Sequence, residues 1–218
     1  MNKKIIITFI IAILIITVGI IGYTIIKNSS TKNNEQLNKD SIEQQDNKEI
    51  DESKGNNITN NSKIAVIYFS ATGTTKKVAE KIANVTNGDI IEIIPKDKYT
   101  TSDLNYGNDD SRANKEQNNS SARPEIANNI ETSKYDVIYL GYPIWWGDIP
   151  KIILTFLDTN NLHGKTIIPF CTSGSTDISQ SQSTLESYNK NSKWLKGKRF
   201  SSSVSDKELT DWIKELNL

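Results

Sequence analysis

Four short runs recur from residue 63 onward: 64–69 (IAVIYF), 89–94 (DIIEII), 135–141 (YDVIYLG) and 165–170 (KTIIPF). Their β-branched and aromatic content marks strands. Because the runs are nearly continuously apolar, the strands are expected to be covered on both faces, as in a parallel sheet. The stretches between them change period. Residues 75–85 place Val78, Ala79, Ile82 and Ala83 on one helical stripe, with Lys76, Lys77, Glu80 and Lys81 elsewhere around it. Residues 149–157 and 176–190 read as two more helices. The box Ser205-Asp206-Lys207-Glu208 opens a last one, whose Leu209, Trp212, Ile213 and Leu216 form a buried face. A fifth strand is expected over residues 199–204. Strand and helix alternating with short connections predict a doubly wound, five-stranded parallel sheet in a three-layer α/β/α arrangement. Ligands of such sheets bind beyond the carboxyl ends of the strands. The loops after Phe69, Gly141 and Phe170 are therefore the ones to read for chemistry.

Upstream, residues 5–26 (IIITFIIAILIITVGIIGYTII) carry no charge over 22 positions, with Lys3 and Lys4 before them and Lys27 after. As a helix the run is about 33 Å long, enough to cross the hydrocarbon layer. A cleaved signal would have a shorter apolar core followed by an A-x-A-like site, and none follows Gly22 and Tyr23. Residues 1–27 are thus expected to be an uncleaved, single-pass transmembrane anchor. Residues 28–62 are Asn, Ser, Lys, Glu and Asp with almost no apolar periodicity, so they cannot offset their ordering entropy by burial. They read as a tether with a reach of roughly 30–35 Å. The positive bias of Lys3, Lys4 and the terminal amine over Lys27 and Lys32 is slight and places the N-terminus in the cytoplasm, with the domain at 63–218 outside it.

Composition closes several routes. Residues 63–218 hold 19 basic and 19 acidic side chains, so no nucleic-acid partner is expected. A single histidine, His163, cannot build a multi-His metal site, and it precedes Gly164 in a loop that reads as solvent-facing. The single cysteine, Cys171, excludes an internal disulfide and, with no nearby His or charge, reads as a small packing residue. The nucleophile-elbow pattern G-x-S-x-G is absent.

After the first strand comes Ser70-Ala71-Thr72-Gly73-Thr74-Thr75, running straight into a helix. Hydroxyls and a glycine at a helix N-terminus, with its free N–H groups and positive dipole end, suit a phosphate. They also suit an ordinary Ser/Thr-rich cap. Neither a P-loop nor G-x-G-x-x-G is present. The third strand runs into Tyr142-Pro143-Ile144-Trp145-Trp146-Gly147-Asp148. Two adjacent tryptophans there fit a planar aromatic ligand, a hydrophobic lid or a membrane contact. In an extended loop adjacent side chains diverge, so one of the pair is expected to stack, Trp146 by preference, with Trp145 beneath the loop. The fourth strand ends in Cys171-Thr172-Ser173-Gly174-Ser175-Thr176, a small polar loop on the same edge of the sheet.

Strand-SATGTT-helix, YLGYPIWWGDIP and PFCTSGS together resemble the flavodoxin family, in particular its small bacterial branch. The stretches around Tyr99, Asp103 to Tyr106, Ser111 to Asn114 and Ala122 to Pro124 resemble the same branch. The resemblance thus covers nearly all of residues 63–218. It implies non-covalent FMN, with Ser70, Thr72, Gly73, Thr74 and Thr75 holding the phosphate. Pro143, Ile144, Trp145, Trp146 and Gly147 would flank the ring, and Thr172, Ser173 and Gly174 would meet its polar edge. The chain departs from the branch at Ser175-Thr176-Asp177, where further glycines are usual. The implied role is electron transfer between redox donors and acceptors, either proteins or small molecules such as quinones. An FMN-dependent NAD(P)H:quinone-type reductase and a flavin-free interaction module are the alternatives. The polar segment 96–123, with Tyr99, Tyr106, Arg112 and Arg123, reads either as a cover for the flavin or as a surface insertion.

Overall fold

The computed structural model of the chain describes residues 62–218. Three strands form the middle of a parallel sheet: β1 (Ile64–Tyr68), β3 (Val137–Pro143) and β4 (Thr166–Thr172), each buried along almost its whole length. Helices cover both their faces, which is why their sequences are apolar without alternation. β2 (Asp89–Glu92) lies at one edge beside β1. The edge position leaves Ile90 44% exposed, unlike the two-sided cover expected for that run. The strand order is β2-β1-β3-β4 and then a fifth position beside β4, so chain progression reverses between β1 and β3.

The fifth position is filled in two pieces, β5 (Lys193–Trp194) and β6 (Lys198–Phe200), both parallel to β4. The cause is in β4. Ile167 accepts the Leu195 N–H and Ser173 donates to Phe200 O, so residues 167, 169, 171 and 173 turn their backbone toward this edge. Pro169 has no N–H to offer, and the ladder breaks opposite it. Gln182 closes the gap from α4 (Ser179–Tyr188). Its Nε2 donates to Leu195 O at 3.1 Å and its Oε1 accepts the Gly197 N–H at 2.9 Å, the two bonds a neighbouring strand would make.

On one face α1 (Thr74–Thr86) and α5 (Asp206–Glu215) pack Val78, Ile82, Leu209 and Trp212 over Val66, Tyr68, Tyr139 and Phe170. On the other, α3 (Lys151–Thr159) and α4 cover Ala65, Ile67, Ile138 and Leu140. Half of the expected capping box forms. Ser205 Oγ accepts the Glu208 N–H at 3.2 Å, while the Glu208 carboxylate faces Lys198 at 3.9 Å. One helix was not expected: α2 (Arg112–Asn118), which buries Ala113 and Asn114 inside segment 96–123. Its sequence, RANKEQN, has one apolar residue and so no stripe to detect. Among the described residues no helix is long and apolar enough to cross a membrane. The expected anchor and most of the tether lie outside the described residues.

Candidate functional site

The chain leaves β1 through Phe69, whose N–H bonds Gly141 O at 2.9 Å, and turns into α1 at Gly73. Gly73 has φ +86°, a left-handed conformation that glycine adopts without the Cβ penalty. Its N–H is taken by Ser70 Oγ at 3.1 Å. No side chain caps α1 at this end and no acidic residue occupies its first turn. The positive end of the helix dipole is therefore uncompensated, and the Thr72 and Thr74 hydroxyls lie beside it, 3.5 Å apart. Thr75 behaves differently. It is buried, and its hydroxyl pairs with that of Thr172 at 2.8 Å.

At the end of β3, Trp145 and Asp148 exchange both backbone hydrogen bonds, at 2.9 and 3.0 Å. The two residues between them have positive φ, 50° at Trp146 and 79° at Gly147, which makes a type I′ turn. A tryptophan in this region costs about 1 kcal/mol or more. The turn sends the two indoles apart. Trp145 is 4% exposed and meets Phe69 and Tyr99 edge-on at 5.5 and 5.1 Å, whereas Trp146 is 38% exposed and stacks on Tyr106 at 4.2 Å. Segment 96–123 is the support for this turn rather than a loose insertion. Gln117 Nε2 donates to Trp145 O and Ile149 O at 3.0 and 3.2 Å. The Arg112 guanidinium lies 4.0 Å over the Tyr99 ring and bonds Glu116, which also accepts from the Tyr99 hydroxyl at 2.6 Å. Burial, followed by the bond to Glu116, pushes the Tyr99 phenol well above its ordinary range, so it stays a neutral donor. Arg123 is elsewhere, bonded to Asp158 and Tyr188 on α3 and α4.

The loop after β4 closes on the same space. Ile144 N–H donates to Thr172 O at 3.0 Å, tying it to the tryptophan turn. Ser173 Oγ donates to Thr176 O at 2.5 Å, and Arg199 Nη1 reaches Ser173 O at 3.1 Å and Gly174 O at 3.5 Å.

Together these loops enclose a cavity of about 550 Å³ lined by Ser70, Thr72, Thr74, Thr75, Pro143, Ile144, Trp145, Thr172, Ser173 and Gly174. Gly73, Trp146 and Gly147, also expected in the site, are not among the lining residues, and Trp146, expected to be the stacking residue of the pair, lies against Tyr106 instead. Five lining positions were not among the expected site residues: Ala71, Leu104, Tyr106, Ser201 and Ser202. The serines were hidden by a strand boundary. The fifth strand stops at Phe200, so 201–203 form a fourth loop at the same edge. Leu104, with Tyr106, comes from the segment whose sequence lacks periodicity. His163 is exposed and Cys171 is buried, as their sequence contexts imply. No lining residue carries a formal charge.

Fold and cavity define an open, doubly wound α/β domain with a cleft where strand order reverses, the place where such sheets bind ligands. Residues 63–216 match the model of the flavodoxin family, and the chain belongs to that family. A presumed flavoprotein from Bacteroides eggerthii is 40% identical over 72% of this chain and 99% of its own, with a TM-score of 0.69. Its counterpart from Bacteroides uniformis is 40% identical over 70% and 98%, with a TM-score of 0.68. A flavoprotein from Lactobacillus acidophilus, solved in complex with FMN, is 28% identical over 70% and 99%, with a TM-score of 0.50. No curated protein matches the chain.

Proposed function

We propose that the chain is a membrane-tethered FMN protein that transfers electrons. The observation that carries the reading is the uncapped N-terminus of α1, which opens with the Thr72 and Thr74 hydroxyls on a neutral cavity walled further along by Trp145. A dianionic phosphate fits that donor set, because N–H groups, hydroxyls and the helix dipole all favour it and no carboxylate opposes it. The cavity volume lies within the roughly 300–1,000 Å³ of small-molecule sites. Ser70, Thr72, Gly73 and Thr74 would hold the phosphate, Pro143, Ile144 and Trp145 would flank the ring, and Thr172, Ser173 and Gly174 would face its polar edge. The FMN complex of the Lactobacillus acidophilus relative supports the choice of cofactor.

When bound, FMN supplies the one- and two-electron chemistry, and the protein supplies position and electrostatics. The chain's own part is to exclude water with Trp145 and Leu104, to hold the cofactor without lining charges, and to leave one end open for a redox donor or acceptor. In this reading residues 5–26 anchor the chain in the membrane, residues 28–62 form the tether, and the domain works outside the cytoplasm.

The purified full-length chain should show a flavin absorption spectrum after incubation with FMN, at one FMN per chain. Absence of flavin absorption and of any FMN-dependent fluorescence change would remove the cofactor. Protease added to intact cells should digest residues 63–218. Full protection, with the protease shown to be active, would reverse the topology.

A further inference from the structure

Arg199 is joined to the Ser173–Gly174 wall from outside the cavity. It sits on β6 beside Cys171 of β4, and its Nη1 donates to the carbonyls of Ser173 and Gly174, at 3.1 and 3.5 Å. It forms no ion pair among the described residues: Glu208 and Asp177 share the open groove on its other side, Glu208 facing Lys198 and Asp177 feeling the Arg199 charge only at a distance. The Ser173 carbonyl shares a peptide with the Gly174 N–H, and the Gly174 carbonyl shares the next with the Ser175 N–H. A cation bonded to a carbonyl oxygen draws density from the N–H of the same peptide and makes it a stronger donor. Gly174 lines the cavity, and a Cβ placed on it would meet nothing within 4 Å, so a ligand can approach this backbone closely. The lining itself holds no formal charge. The guanidinium is thus the positive charge bonded directly to this wall.

We propose that Arg199 is a positioning residue that holds the Ser173–Gly174 wall toward the cofactor and, through its charge, favours reduced over oxidised FMN. The inference rests on the FMN reading. Reduced FMN carries negative charge on its ring at neutral pH, whereas oxidised FMN does not. A fixed cation behind the wall therefore binds the reduced form more tightly and raises the potential.

The test compares the native full-length chain with Arg199→Gln and Arg199→Lys. Arg199→Gln keeps an N–H donor and loses the charge, and Arg199→Lys keeps the charge and loses the planar reach to two carbonyls. Apo melting curves of both variants, expected to lie near that of the native chain, check that the fold is intact. Dissociation constants for oxidised FMN and the two-electron midpoint potential are then measured. In Arg199→Gln the ratio of reduced to oxidised dissociation constants should rise about tenfold, equivalent to a potential about 30 mV lower. In Arg199→Lys the ratio should stay within about threefold of native, while oxidised FMN binds several-fold more weakly. An unchanged potential in Arg199→Gln, or an equal shift in both variants, overturns the role of Arg199 and leaves the FMN reading standing. A native chain that binds no FMN overturns both.

Discussion

The hydroxyls of Thr75 and Thr172 meet at 2.8 Å in the interior and join the first turn of α1 to the last residue of β4. Each satisfies the other where little water reaches, so removing one leaves its partner orphaned at a cost of about 1–3 kcal/mol. Thr75→Val should lower stability by about 1–2 kcal/mol. A urea unfolding midpoint that falls at constant slope would show it.

The neighbouring hydroxyls should act on the ligand instead. Thr72 and Thr74 lie at the open end of α1 and bond each other only loosely, at 3.5 Å. Hydrogen bonds to a charged group contribute about 1.5–3 kcal/mol. The Thr72→Ala, Thr74→Ala double variant should bind FMN at least tenfold more weakly, at roughly 1.4 kcal/mol per factor of ten. Riboflavin, which has no phosphate, should hardly change. Equal losses for both ligands in fluorescence titrations would place the phosphate elsewhere.

The two tryptophans should separate cleanly. Trp145 is packed on Phe69 and Tyr99, and truncating such a residue to Ala costs about 3–5 kcal/mol. The milder Trp145→Phe should still weaken FMN binding and reduce flavin quenching. Trp146→Asn gives up the Tyr106 stack but removes a left-handed tryptophan, and Asn-Gly is the favoured pair for this turn. Its apo stability should stay within about 1 kcal/mol of native. A larger loss would mean that the stack, not the turn, holds the loop.

Gly141 has no room for a side chain. It pairs with Phe170 across the sheet, and a Cβ there would lie 2.1 Å from the Phe170 ring. Gly141→Ala should cost about 1–3 kcal/mol through overpacking. Adding Phe170→Leu should recover part of the loss, giving a measurable coupling in a double-mutant cycle.

Burial pushes the Cys171 thiol up to about 12. At pH 8 the buried thiol therefore stays protonated, so alkylation should be negligible in the folded chain and fast in urea, as followed by mass spectrometry. The sign for stability follows. The fold favours the neutral thiol, so this contribution is full below the unfolded-state value near 9 and is lost as pH rises through about 12. Cys171→Ala should remove that part of the alkaline dependence.

Strands β1, β3 and β4 and helix α1 are legible in the sequence because central parallel strands and an amphipathic helix write their burial directly into residue type. The hydroxyl and tryptophan loops are legible too, since each follows such a strand. The sequence could not say which hydroxyls face the cavity and which face each other. Thr74 and Thr75 are adjacent and chemically alike and both line the cavity, yet the helical rotation between them leaves the Thr74 hydroxyl exposed beside Thr72 and buries that of Thr75 against Thr172. Nor could it show the break opposite Pro169, the Gln182 side chain that fills it, the Ser201–Ser202 wall, or α2 beneath the tryptophan turn. Each depends on contacts between segments far apart in the chain, and such contacts leave no periodic pattern. Local chemistry chose the elements, and packing across the sheet edge decided which polar groups are left to bind anything else.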